Sequence, residues 1–273
     1  MIECPKLPGS AGVPPASRPG WPRSRGRTPG AAIPGLRPRE TLHSSCDPYF
    51  FSITMFTGII QSLGTVTRIE PRGGDHRITL HTGTLPLTTA QLGDSIAVSG
   101  VCLTAVELGS ARFAADVSNE TLSRTTLGDM REGSRVNLEL ALLPTTRLGG
   151  HLVSGHVDGV GTVVAKRNEG RSVRYTVEAP APLARYLAEK GSVTVDGISL
   201  TINRVDGARF ELNIVPHTLK ETTLGETDVG RRVNLEVDIL ARYLERLLLG
   251  DKASEPGQQG VTLELLKHSG FAS

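Results

Sequence analysis

The chain has 273 residues, of which 38% are hydrophobic, 21% charged and only 4% aromatic. This balance is typical of a globular protein, and the length suits one large domain or two ordinary ones. Residues 1–54 carry seven basic and three acidic side chains, whereas the remainder carries 23 basic and 25 acidic ones. A slightly acidic folded part argues against a nucleic-acid partner, and no apolar run approaches the roughly 20 residues that span a membrane.

Residues 1–54 hold ten prolines and six glycines without a hydrophobic period. Such a segment buries too little apolar surface to offset its ordering entropy, so we predict a disordered extension. It lacks the apolar core of a secretory signal, and its prolines oppose the amphipathic helix of a transit peptide. Translation from a start codon upstream of Met55 would also explain it. Only Cys102 of the three cysteines lies beyond it, which argues against a disulfide framework and fits the cytoplasm.

The rest of the chain is an internal duplication with an offset of 97 residues. Gly100–Thr104 aligns with Gly197–Thr201, and Arg135–Glu139 aligns with the identical sequence Arg232–Glu236. A long repeat without gaps predicts two domains of one fold. We place them at residues 55–150 and 151–239.

Each repeat is predicted to be a β-domain, because short alternating or apolar runs are separated by turn residues. The predicted strands of the first repeat are Gly64–Ile69, Arg77–His81, Ser95–Val98, Leu103–Glu107, Arg112–Val117 and Arg135–Leu140. About six strands per repeat indicate a small barrel or a sandwich. We favour the barrel, because closure leaves no exposed strand edge.

Three short helices are also predicted. One covers Leu183–Lys190, with a weaker counterpart at Leu85–Gln91, and the third covers 240–249, where leucines follow helical spacing. About two turns are marginal alone, so the third helix needs a partner surface. That surface is either another subunit or its own barrel. Residues 250–273 are left as a tail.

The repeated strand Gly-x-Cys/Ser-Leu-Thr is the first candidate site. Alternation places Cys102 and Thr104 on one face and Leu103 on the other, and it does the same for Ser199, Thr201 and Leu200. Two small polar side chains beside a glycine suit hydrogen bonding to a polar ring, since glycine lets a ligand approach the backbone. A strand that merely tolerates small polar residues would look the same.

The segment between the repeats contains His151 and His156. Their i, i+5 spacing differs from that of a helical metal pair, and no Cys or carboxylate cluster completes a metal set. A histidine in proton transfer or hydroxyl binding is one interpretation, and a structural histidine is the other. The chain shows no phosphate loop, dinucleotide fingerprint or nucleophile elbow.

Four segments resemble riboflavin synthases: Met55–Ile59, Gly149–His156, Asp196–Thr201 and Pro216–Leu219. The resemblance spans about Met55 to Leu248 and implies two six-stranded Greek-key barrels that each bind one 6,7-dimethyl-8-ribityllumazine. It further implies a homotrimer assembled through the C-terminal helix, no cofactor, no metal, and lumazine synthase as a partner. The active site would lie between the N-terminal barrel of one subunit and the C-terminal barrel of the next.

The resemblance also assigns site residues. His156 would transfer protons, and His151 would support its loop. Cys102, Ser199 and Thr201 would bind the ligand, or one of them would act as the nucleophile. Ser95 and Asp238 would assist, Asp238 as a partner of a hydroxyl or of Lys190. The implied ligand contacts are Gly58, Ile59, Ile60, Cys102, Leu103, Thr104, Asp116, Val117, Ser118, Asn119, Glu120, Thr121, Gly155, His156, Val157, Lys190, Ser199, Leu200, Thr201, Val215, Pro216, His217, Thr218, Leu219 and Lys220.

Two departures from the repeat and from the family pattern bear on function. Ser99 stands where the family commonly has Asn, and Asn119 and Glu120 answer to Pro216 and His217 in the second repeat. The half-sites are therefore expected to be inequivalent, as separate donor and acceptor roles require. The alternative function is a non-catalytic lumazine- or flavin-binding antenna protein. A flavin-reductase barrel is disfavoured, since no nucleotide-binding domain follows.

Overall fold

The computed structural model describes residues 54–250 and residue 253. The predicted extension and tail therefore lie outside the described residues, apart from Thr54, Gly250 and Ala253. The described residues belong to one compact unit.

The first repeat forms a closed antiparallel barrel. Its strands are β1 (Ser62–Arg72), β2 (Asp75–His81), β3 (Ser95–Val98), β4 (Val101–Leu108), β5 (Arg112–Val117) and β6 (Arg135–Leu140). Their order around the barrel is β1-β2-β5-β4-β3-β6, a Greek key in which every strand has two neighbours. Leu80, Ile96, Phe113 and Leu138 fill the interior.

The second repeat forms a curled sheet of seven strands instead of six. They are β7 (Gly159–Glu169), β8 (Ser172–Glu178), β9 (Ser192–Val195), β10 (Ile198–Thr201), β11 (Arg204–Asp206), β12 (Arg209–Ile214) and β13 (Arg232–Val237), in the order β10-β9-β13-β7-β8-β12-β11. The two outer strands, β10 and β11, are the two parts of the strand equivalent to β4. They divide where β4 has a bulge between Ala105 and Glu107.

Two residues carry the chain from one edge of this sheet to the other. The N–H of Ile202 donates to Gly191 O (3.0 Å) on the β9 side, and the N–H of Asn203 donates to Glu211 O (2.8 Å) on β12. The second sheet is thereby curled into a barrel around Tyr175, Phe210 and Leu235.

The helices differ from the predicted ones. The predicted helices at 183–190 and 85–91 are instead short 3₁₀ turns, at Ala181–Tyr186 and Leu87–Thr89. Two unpredicted six-residue helices, α1 (Asn119–Arg124) and α2 (Pro216–Glu221), follow β5 and β12. The C-terminal helix α3 spans Ile239–Leu249, and Asp238 caps it. No helix among the described residues is long and apolar enough to cross a membrane.

The barrels meet at two equivalent hairpin turns. Ser99 and Gly100 join β3 to β4, Asp196 and Gly197 join β9 to β10, and all four residues have positive φ. A Cβ on either glycine would lie 2.7 Å from the backbone nitrogen of the other. The turns therefore pack back to back, and only glycine permits this approach.

Two asparagine amides fasten this junction. Asn137 Nδ2 donates to Asp196 O (2.9 Å), and Asn234 Nδ2 donates to Ser99 O (2.8 Å). The two bonds are related by the repeat, so the barrels pack about a pseudo-twofold axis.

Asp196 is fully buried at this junction, where its carboxylate accepts the N–H of Asn234 (2.8 Å). Burial raises the pKa of Asp196 to about 7. Because the folded-state pKa lies above the ordinary value, folding is favoured while the group is protonated. That contribution to stability is lost as the pH rises through about 7.

Asp196→Asn should therefore stabilise the protein more at pH 9 than at pH 5, by about 1–3 kcal/mol. Asparagine also tolerates positive φ. Urea unfolding at the two pH values measures the difference. Ser99→Asn, which introduces asparagine at the equivalent turn, is the control and should show no such pH dependence. An equal gain at both pH values for Asp196→Asn would contradict this prediction.

Candidate functional site

The segments that lead into the two barrels pair with each other. Phe56 N–H donates to Val153 O (2.7 Å), and Val153 N–H donates to Phe56 O (3.1 Å). These residues are 97 positions apart, so they are equivalent in the repeat. From this bridge each segment runs onto the barrel formed by the other repeat.

The segment 58–60 leads into β1 of the first barrel, but it packs against the second barrel. Ser199 on β10 donates its N–H to Gly58 O (2.8 Å). Ile60 packs on the core of the second barrel, together with Leu200 of β10 and Leu219 of α2. We call residues 58–60, 199–201 and 215–220 the second half-site.

The segment 155–157 shows the reciprocal arrangement. Cys102 on β4 donates its N–H to Gly155 O (2.9 Å). Val157 packs on the core of the first barrel, as does Leu122 of α1. We call residues 102–104, 116–121 and 155–157 the first half-site. The structure thus gathers most of the predicted contacts into two clusters, each containing residues from both repeats.

Within the first half-site, Leu103 is buried in the barrel core, Cys102 is half-buried and Thr104 is exposed. Burial raises the pKa of the Cys102 thiol, and a hydrogen bond with Ser95 acts in the opposite direction. Ser95 lies opposite Thr104 in the β3–β4 ladder. The thiol is therefore neutral near pH 7, and a nucleophilic role would require its activation.

The polar residues at the end of β5 are fixed by local contacts. Arg77 holds Asp116 through two bonds of 2.7 and 2.9 Å, which lower the pKa of that carboxyl. Ser118 caps α1 by accepting the N–H of Thr121 (3.1 Å). Asp116 is thus an ionised side chain held in place, and Thr121 lies in the first turn of α1.

The second half-site contains a close His–Ser pair. His151 Nδ1 lies 2.7 Å from Ser199 Oγ. Burial lowers the pKa of His151, and the nearby Asp238 carboxylate acts in the opposite direction. His151 Nε2 is buried and has no hydrogen-bond partner among the described residues. A neutral imidazole here can exchange a proton with the Ser199 hydroxyl.

Different residues occupy the two equivalent positions in the first half-site. The position equivalent to His151 is Thr54, whose Oγ1 accepts a hydrogen bond from Ser95 Oγ (3.5 Å). Cys102 takes the place of Ser199. The two half-sites thus differ in their titratable groups, although their backbones are alike.

His156 lies where the first half-site meets α3. It is exposed, and it lines a cavity of about 320 Å³ with Asp158, Arg242 and Tyr243. Arg242 forms an ion pair with Asp158, and Asp158 also accepts the N–H of Val237 (2.7 Å). The segment that carries His156 is thereby anchored to α3.

The remaining predicted residues lie around the second half-site. Lys190 is an exposed turn residue with φ of 66°, and its N–H donates to Ile202 O. Asp238 Oδ1 accepts the N–H of Leu240 (3.0 Å), so this carboxylate caps α3 and lies near His151. The exposed His217 is on the first turn of α2.

A larger cavity, of about 500 Å³, contains none of the predicted residues. Its lining is mostly polar and carries charges of both signs, including Arg131, Arg135, Glu226 and Arg231. It lies between the barrels, where Arg135 and Glu226 approach to 3.9 Å. We assign the candidate site to the two half-sites instead, because the polar strands and the histidines converge there.

Two functional candidates were missed by the sequence analysis. Glu139 Oε1 accepts the N–H (2.7 Å) and the hydroxyl (2.6 Å) of Thr57, and its Oε2 accepts the N–H of Gly58 (3.0 Å). Glu236 makes the same three bonds to Ser154 and Gly155, at 2.7, 2.7 and 3.0 Å. The identical repeats that contain these glutamates were noted, but nothing in them reveals this contact.

Among the described residues, no group of three or more His, Cys, Asp or Glu side chains is arranged to hold a metal ion.

Comparison with known proteins identifies the family. The model of the lumazine binding domain matches residues 57–141 and 154–238. A riboflavin synthase of Photobacterium phosphoreum is 51% identical over 217 residues, which are 80% of this chain and 99% of the relative. The chain belongs to the riboflavin synthase family. A second family member, from Bacillus subtilis, is 39% identical over 218 residues and is matched over its whole length.

A solved structure shows the same fold. LumP complexed with riboflavin matches 67% of this chain and 98% of its own, with a TM-score of 0.62 and 24% sequence identity. At this identity the likeness shows the two-barrel architecture alone.

Gly155→Ala should cost about 3 kcal/mol or more of folding stability. Gly155 has φ of 75°, and an added Cβ would lie 2.7 Å from Cys102 Cβ. Gly170→Ala is the matched control, because Gly170 has φ of 62° but nothing within 4 Å. It should cost only about 1–2 kcal/mol. Urea unfolding measures both, and equal losses would contradict the close packing of Gly155 on Cys102.

Proposed function

We propose that the protein is a riboflavin synthase, a transferase that converts two molecules of 6,7-dimethyl-8-ribityllumazine into riboflavin and 5-amino-6-(D-ribitylamino)uracil. The proposal is supported by relatives of that name at 39–51% identity over almost their full length. The observation that carries it is the pair of half-sites built from equivalent strands. A reaction between two copies of one substrate needs two similar but inequivalent binding places.

The chemistry explains why no cofactor is proposed. The atoms of two lumazines equal the atoms of the two products, so the reaction needs no net oxidant or reductant. Removal of a proton from the 7-methyl group of one lumazine gives a carbanion that attacks the second molecule. The second molecule transfers its four-carbon unit, and the diaminopyrimidine leaves. Correct juxtaposition of two reactants can itself supply about 7–11 kcal/mol of the barrier reduction.

Three side chains are proposed to assist. His156 is exposed beside the first half-site, and we propose it as the proton-transfer group. The neutral His151 is placed to act on the Ser199 hydroxyl in the second half-site. Cys102, with its raised pKa, is proposed to bind the ring as a neutral thiol.

His156→Gln should reduce kcat by about 10²–10⁴-fold, the usual contribution of a general acid–base group. Ligand affinity should change little, because glutamine keeps the size and polarity of the side chain. Stopped-flow turnover and fluorescence titration separate the two quantities. Full turnover with unchanged binding would exclude His156 from proton transfer.

The oligomeric state is proposed to be a homotrimer, with the active site between the first half-site of one subunit and the second half-site of the next. One side of α3 is attached to its own barrel by the Arg242–Asp158 and Arg185–Glu245 ion pairs. The other side exposes Leu240, Tyr243, Leu244 and Leu247, between 59% and 76% accessible. Such a stripe indicates a contact with another subunit.

Leu244→Glu should therefore shift the protein from trimer to monomer in light scattering and lower its activity. Leu92→Glu is the control, since Leu92 is equally exposed on the first barrel. It should leave the mass unchanged. A trimer that persists in Leu244→Glu would exclude α3 from the interface.

The direct test of the function is incubation of the purified protein with 6,7-dimethyl-8-ribityllumazine, without cofactor or metal. One riboflavin and one diaminopyrimidine should appear for every two lumazines consumed. Binding without turnover would instead support the antenna protein. We further propose a cytoplasmic location, and lumazine synthase as the partner that supplies the substrate.

A further inference from the structure

Each half-site contains a glycine whose peptide groups are held from both sides. The N–H of Gly155 donates to Glu236 Oε2 (3.0 Å), and its C=O accepts the N–H of Cys102 (2.9 Å). Gly58 has the same two bonds, to Glu139 Oε2 (3.0 Å) and from Ser199 N–H (2.8 Å). Each glycine therefore connects a glutamate on one barrel to the ligand-binding strand of the other.

The connections cross between the barrels. Glu236 is on β13 of the second barrel, but the segment it holds lies in the first half-site. Glu139 is on β6 of the first barrel, but its segment lies in the second half-site. Both carboxylates are almost fully buried, at 3% and 4% exposure. Because three donors converge on each carboxylate, each segment is restricted to one position.

We propose that Glu139 and Glu236 are positioning residues, and that each fixes the half-site built on the opposite barrel. This inference rests on the proposed function only for its catalytic consequence, since the positioning itself requires no substrate. Each buried carboxylate sets the height of its segment above Ser199 or Cys102, and thus the width of the place where a lumazine ring would lie. His156 directly follows Gly155, so Glu236 also positions the proposed proton-transfer group.

Glutamine is the informative substitution at both positions. It has the same shape, and its Oε1 can still accept the bonds from Thr57 or Ser154. Its NH₂ group, however, faces the glycine N–H, and two donors repel. The glycine segment should therefore loosen while the barrel remains folded.

The thiol of Cys102 reports on the first half-site, because Gly155 packs on its Cβ. In a Cys4→Ser, Cys46→Ser background, Glu236→Gln should accelerate the reaction of this thiol with an aromatic disulfide about tenfold. Glu139→Gln should leave that rate unchanged. The rate is measured across pH, so that the limiting thiolate rate reports access and the midpoint reports the thiol pKa.

A relocated reporter makes the test reciprocal. With Cys102→Ser and Ser199→Cys added to that background, Glu139→Gln should accelerate the thiol reaction and Glu236→Gln should not. Equal acceleration of both reporters by either glutamine variant would overturn the proposal, since it would indicate general loosening. An unchanged limiting rate in all four combinations would overturn it as well.

Milder variants keep the test valid if the glutamine variants do not fold. Ser154→Ala and Thr57→Ala keep each carboxylate charge. Each removes one of the three hydrogen bonds of that carboxylate, together with the bond that the hydroxyl accepts from the N–H of His156 (3.3 Å) or Ile59 (3.1 Å). They should show the same crossed pattern with a smaller acceleration. Turnover of lumazine is measured in parallel: both glutamine variants should lose kcat/KM. If the thiol rates show the crossed pattern but the protein does not turn over lumazine, the positioning roles stand and the proposed enzymatic function is refuted.

Discussion

Both half-sites depend on one arrangement: the short segment that precedes each barrel packs against the barrel of the other repeat. The hydrogen bonds Ser199 N–H to Gly58 O and Cys102 N–H to Gly155 O join each barrel to the segment that precedes the other. A net contribution of about 1 kcal/mol for each bond is modest. Their geometric effect is larger, because they make each half-site a composite of both repeats. Neither barrel would present a complete half-site alone.

The same arrangement allows the two half-sites to diverge. Duplication produces two strands with the same backbone. The segments that cross between the barrels place different side chains over each strand. His151 contacts Ser199 in the second half-site, whereas Thr54 occupies the equivalent position and accepts a hydrogen bond from Ser95. One half-site thus has a neutral imidazole against a hydroxyl, and the other has a neutral thiol. A reaction in which one lumazine donates a four-carbon unit to an identical lumazine requires such a difference.

Much of the architecture was predictable from the sequence, because the repeat and the strand patterns are local signals. Ser95–Val98, Arg112–Val117 and Arg135–Leu140 are strands with the predicted bounds. The helices α1 and α2 were missed because six residues are too few for a helical period. The division of β10 from β11 was missed because nothing in the sequence marks the bulge.

The glutamates were missed for a different reason. On a barrel strand, alternation predicts that Asn137 and Glu139 face solvent, yet Val136, Asn137, Leu138 and Glu139 are all buried. The outer face of β6 is covered by the other barrel and by the segment at Thr57. A polar residue that is buried between domains looks like a surface residue in the sequence. Only the three-dimensional arrangement distinguishes the two.

Each chain is expected to provide two composite half-sites of unequal character. Isothermal titration with a lumazine analogue that lacks the 7-methyl group tests it most directly, because the analogue can bind but cannot react. Two ligands should bind per chain, with distinguishable affinities. A stoichiometry of one ligand per chain would contradict it.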